Sequence, residues 1–117
     1  MRFVLNGIEY EIIELSQLDY KKIRIKNNEE TGVEEKGIEE GIYYGSSDNY
    51  SCKIYIDKNM PIDRKRKILM HELTHCYIYE YITHSDYEFT IEEVCDLVAN
   101  SHDIIDEIIN NYFMASL

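Results

Sequence analysis

Five consecutive residues carry the chemistry that this chain shows most directly: His71-Glu72-Leu73-Thr74-His75. They lie inside a run, Ile68 to Ile82, whose pattern predicts a helix. With about 3.6 residues per turn, two histidines four residues apart share one helix face, one turn apart. Imidazoles so placed can share one tetrahedral metal ion, and Zn²⁺ is the usual occupant. Glu72 projects about 100° round the helix from His71, beside such an ion rather than onto it. A general base must stand there to take a proton from metal-bound water. The bland alternative is a helix with two hydrogen-bonded histidines, and the motif alone does not exclude it.

A catalytic zinc normally has three protein ligands and a water. No third histidine follows at the H-E-x-x-H-x-x-G-x-x-H spacing, because Ile78 and Tyr81 occupy the Gly and His positions. The remaining candidates are carboxylates on a second helix. Thr90-Ile91-Glu92-Glu93 fits a capping box, in which Glu93 reaches back to the backbone and Glu92 is left free. Glu92 is therefore assigned to the metal. Asp96 lies one turn further on the same face, where it can accept the outer N–H of a ligand histidine and fix its tautomer. Nothing in the spacing singles out a donor for the oxyanion; Tyr55, His84, Tyr87 and His102 are the candidates, each also readable as structural.

The elements that must position these residues follow from local pattern. Asn6-Gly7 between Arg2–Leu5 and Ile8–Leu15 is a strong hairpin signal, since a type I′ turn needs positive φ at both central residues. In the second arm Ile8, Tyr10 and Ile12 share a face. Lys21 to Ile25 reads as a short strand or one helical turn, and Asn27 to Gly41 as an acidic, Gly-punctuated loop. Ile42-Tyr43-Tyr44 and Cys52–Ile56 read as strands joined by a turn at Gly45–Asn49. Pro61 opens the first helix, about 61–82, with Leu69, Leu73, Cys76 and Tyr77 as its core stripe. The histidines are expected beside that stripe, at the rim of an apolar surface. The second helix, about 90–113, carries Val94, Leu97, Val98, Ser101, Ile104, Ile105, Ile108 and Ile109. The short link between the helices predicts an antiparallel pair. The fold class is α+β: a small zincin-like domain, with an N-terminal antiparallel sheet of about four strands followed by the helix pair.

Composition bounds the setting. The chain has 117 residues, room for a single domain over 1–117, and is 44% hydrophobic, which marks it as globular. No apolar run is long enough to cross a membrane, and the first residues turn polar too soon for a secretory signal, so a cytoplasmic protein with no membrane partner is expected. Cys52, Cys76 and Cys95 are odd in number and lack C-x-x-C spacing, which suggests reduced thiols. A net charge of −11 repels phosphate backbones, so no nucleic-acid partner is expected, while a protein with a basic face would suit. The one basic cluster, Arg64-Lys65-Arg66-Lys67, reads as a solvated helix face or as a contact for an acidic segment.

The string Ile68-Leu-Met-His-Glu-Leu-Thr-His-Cys76 resembles the active helix of ImmA/IrrE-type metallopeptidases, a gluzincin-like group common in prophages and mobile elements. Glu92-Glu-Val-Cys-Asp-Leu-Val-Ala99 is similar to their E-x-x-A-N-x-F-A element, with Cys95 for the usual Ala and Asp96 for the usual Asn. Gly41-Ile-Tyr-Tyr-Gly45 and Lys53-Ile-Tyr-Ile56 resemble the strand pair before the family's active helix. Asp96 also resembles the E-x-x-x-D pattern of gluzincins and minigluzincins. The resemblance covers about residues 41–105. It implies a zinc-dependent endopeptidase of narrow specificity, with His71, His75 and Glu92 on the metal and Glu72 as base. It also implies a protein or peptide substrate such as a helix-turn-helix repressor. Two rivals stand beside it: a non-catalytic zinc-stabilised binding module of anti-repressor or anti-defence type, and a metal-free helical adaptor.

Overall fold

Asn6 and Gly7 both take positive φ, 48° and 77°, as the Asn-Gly pair requires. They join strand β1 (Arg2–Leu5) to β2 (Ile8–Leu15) in an antiparallel hairpin. The computed structural model describes residues 1–17, 19, 44–85 and 88–115. After the hairpin come β3 (Gly45–Asp48), β4 (Lys53–Asp57), helix α1 (Ile62–Tyr81) and helix α2 (Ile91–Ala115). Among the described residues the result is an α+β fold, four strands and then two helices. The expected segments within 20–43, and Tyr87, lie outside the described residues.

The sheet order is β1-β2-β4-β3. An all-antiparallel sheet was the expectation; the observed one is mixed, because β2 pairs β4 in parallel, Glu11 opposite Lys53 through Leu15 opposite Asp57. Parallel neighbours need a long connection between them, and residues 16–52 supply its length. A second difference concerns Gly45–Asp48. These residues read as a turn, yet they form the strand, and the turn lies at 49–52. The Asp48 carboxylate holds that turn by accepting the Ser51 N–H (3.1 Å) and hydroxyl, and Cys52 takes the positive φ of 58°.

The inner faces of the strands supply Phe3, Leu5, Tyr10, Ile12, Ile54 and Ile56 to the core. Leu69, Leu73, Cys76 and Tyr77 enter from α1, the stripe that its spacing predicts. From α2 the part from Ser101 onward enters deeply, through Ser101, Ile105, Ile108, Ile109 and Tyr112. The capping box at the start of α2 is formed: Thr90 N–H donates to Glu93 Oε1 and Glu93 N–H to Thr90 Oγ1, both at 3.2 Å.

Two polar clamps fix α1 against the sheet. At its C-terminal end, the Asn6 side chain donates to the Glu80 carbonyl (2.9 Å), and the Asn6 N–H to the Tyr81 hydroxyl (2.8 Å). The buried Tyr10 hydroxyl donates to Glu80 Oε1 at 2.5 Å; burial, then this bond, hold its phenol protonated far above the usual range. At the other end, Glu14 on β2 accepts from Lys65 Nζ (2.6 Å) and from the Tyr112 hydroxyl, tying sheet, α1 and α2 together. Arg66 near the start of α1 meets Asn110 (3.4 Å) and lies over the Phe113 ring near the end of α2 (4.9 Å to its centroid). The helices are therefore antiparallel, as the short link predicts.

Candidate metal centre

His71 and His75 stand on the third turn of α1 and the next, and their rings meet edge-on with centroids 4.8 Å apart. Their Nε2 atoms are 3.2 Å apart. Two nitrogens each about 2.0–2.1 Å from one tetrahedral zinc stand roughly 3.3 Å from each other. The pair thus already has the spacing of two ligands on one ion. At the same distance one neutral ring can donate an N–H to the other, so a hydrogen-bonded pair has this geometry too.

Both histidines are exposed. The expectation of a sheltered apolar rim is corrected here: Ile68 and Ile78 are half-buried, and Ile82 is 44% exposed. The helix itself explains it. At about 100° per residue His71 lies some 160° round from Leu69, so a face buried at Leu69 and Leu73 turns the histidines outward.

Glu72, by contrast, is buried. It sits at the edge of the core stripe, and the first residue of β3 passes over it. A methyl group built on Gly45 would come 3.4 Å from Glu72 Cγ and 2.6 Å from Ile68 Cγ2. Absence of a side chain at Gly45 therefore lets an outer strand lie close against the motif helix at the acid. Sequence reasoning missed this role. The available signal was a glycine directly after the apolar run Ile42-Tyr43-Tyr44, which was read as a turn.

Glu92 and Asp96 are exposed on the first turns of α2. The structure brings His71 and His75 together and does not group Glu92 or Asp96 with them: among the described residues, no three His, Cys, Asp or Glu side chains gather in a way that could hold a metal. Cys76, next to His75, is no substitute ligand. It is fully buried in the core and packs there as a small apolar group, and burial, with the charges of Glu72, Glu80 and Cys52 adding, pushes its thiol up to about 12. Of the oxyanion candidates, His84 stacks on Tyr79 (centroids 4.2 Å apart) and His102 pairs with Asp106 (3.3 Å). Tyr55 is half-buried on β4, with its phenol shifted upward by burial and by Asp48 and Glu11.

Comparison of the chain with family models, with curated proteins and with solved structures finds no match to any of them. Among the described residues no helix is long and apolar enough to cross a membrane.

Proposed function

We propose that this chain is a zinc-dependent endopeptidase of narrow specificity acting on a regulatory protein of repressor type. The observation that carries the reading is the 3.2 Å separation of the two Nε2 atoms beside a buried Glu72. His71 and His75 would hold the metal, with Glu92 as third ligand and Asp96 orienting a ligand histidine. When bound, the ion supplies Lewis acidity toward the scissile carbonyl and makes a bound water acidic near neutral pH. Glu72 takes the proton from the attacking water and passes it to the leaving amine. Its burial beside the start of β3 restricts the freedom of the side chain. A substrate segment added in extended form along β3, one of the two outer strands among those described, would run close to that carboxylate.

The test combines metal content with cleavage. One zinc per chain is expected by elemental analysis in the native protein and in Glu72→Gln, with loss in His75→Ala and weakened binding in Glu92→Gln. Native protein incubated with a proteome-derived peptide library should generate new termini detectable by mass spectrometry, and Glu72→Gln should generate none. Cleavage retained in Glu72→Gln removes the base from the reading; absence of stoichiometric metal removes the enzyme. The second reading, a zinc-stabilised binding module, is favoured by the exposed position of Glu92 and by the uncovered apolar residues of α2. It predicts a Glu72→Gln protein that keeps metal and full activity in cells.

A further inference from the structure

The seam that packs α2 into the core continues past the point where the core ends. Positions 91, 94, 98, 101, 105, 108 and 112 follow one another at alternating steps of three and four. That is the spacing by which one helix meets another, knobs into holes. Ser101, Ile105, Ile108 and Tyr112 are buried. Ile91, Val94 and Val98, on the same side of the same helix, are 83%, 44% and 60% exposed. Four positions of a continuous helix-packing seam thus have their partner inside the fold, and the other three stay exposed, with none among the described residues to cover them.

Charge narrows what can cover it. Helix α2 carries six carboxylates and no lysine or arginine, and every Lys and Arg of the chain precedes residue 68. Its one imidazole, His102, already pairs with Asp106. A second copy meeting it through the same helix would set one wholly acidic helix against another, and an anionic bilayer or nucleic acid would be repelled in the same way. A basic partner gains both apolar burial and charge complementarity.

We infer that the first two turns of α2 bind an amphipathic helix of a partner protein. That helix places apolar residues at steps of three and four against Ile91, Val94 and Val98, and carries Lys or Arg on its flanks. The surface is independent of the metal reading, since none of His71, Glu72, His75 and Glu92 lies in the seam.

The test titrates the full chain with a fluorescein-labelled synthetic helix bearing Leu at seam positions, Lys on both flanks and Ala elsewhere. A second peptide carries Glu in place of each Lys. Saturable one-to-one binding of the Lys peptide is expected, with no binding of the Glu peptide. Val94→Ser/Val98→Ser alters no charge and touches only exposed side chains, so its melting temperature should stay that of the native chain while affinity falls about tenfold or more. Equal affinity in the double variant would mean attraction by net charge alone and would overturn the proposal, as would absence of binding. A dimer seen by sedimentation of the free chain and dissolved by the double substitution would give the seam to a second copy, and would overturn it as well.

Discussion

Gly45 decides how closely β3 can approach the helix that bears the histidine pair. A methyl group there would stand 2.6 Å from Ile68 Cγ2, well inside contact distance, and 3.4 Å from Glu72 Cγ. The backbone at Ile68 is held by α1 and cannot yield cheaply, so the strand must move. Gly45→Ala is expected to destabilise the fold by about 1–3 kcal/mol, the usual cost of overpacking, read from the urea midpoint. Ile68→Ala removes the obstructing atom. The double variant should then be less destabilised than the sum of the singles, by a coupling of about 0.5 kcal/mol or more. Strict additivity would show that the close approach carries no strain. At this scale the sequence was informative where chemistry is local. The partnership of His71 and His75 follows from a spacing of four on a helix, and so did the burial of Leu69, Leu73 and Cys76. The closeness of Gly45 to Glu72 was not legible, because it joins residues far apart in sequence through tertiary packing. The same limit applies to Glu92, whose place relative to the histidines depends on how two helices cross and not on any local pattern.

Among the elements, the hairpin, the second arm's inward Tyr10 and Ile12, β4, both helices and the capping box were readable from turn chemistry and periodicity. The parallel pairing of β2 with β4 was not, since register between distant strands leaves no local mark. What holds those elements in place includes Glu14, which joins β2 to Lys65 of α1 and Tyr112 of α2. Burial would raise its pKa, but the hydrogen bonds from Lys65 and Tyr112, with the Lys65 charge, prevail and hold it below its ordinary 4.5. A carboxyl whose folded pKa is depressed stabilises the fold above its unfolded pKa, and that contribution disappears as pH falls through the folded value. Glu14→Gln keeps an oxygen acceptor and removes the charge. The native chain should therefore melt above Glu14→Gln by a constant margin at neutral pH, and the margin should shrink below about pH 4.5. The side chain is 40% exposed, so the margin is modest. A difference unchanged down to pH 3 in thermal melts would show that the charge does not act across this junction.

At the scale of the whole molecule the charges are segregated: twelve Lys and Arg against 23 Asp and Glu, with all the cations ahead of residue 68. Helix α2 and the second half of α1 thus form a region of one sign, and that self-repulsion opposes compaction. The same repulsion opposes pairing of two copies of the chain through this acidic region. Salt tests the balance. Raising ionic strength from about 0.1 M to about 1 M shortens the screening length from roughly 10 Å to 3 Å. Among the described residues the attractive pairs at risk are few and largely exposed, such as Arg2 with Glu9 and Glu11 at 3.3 Å, and pairs of that kind contribute little. Repulsion among the carboxylates of the C-terminal half should dominate, so the melting temperature should rise with sodium chloride, by a few °C if the gain is about 0.5–1 kcal/mol. A fall instead would mean that the Lys65–Glu14 clamp and the Arg2 pairs outweigh the like-charge field, and that the acidic surface is not held back by its own charge.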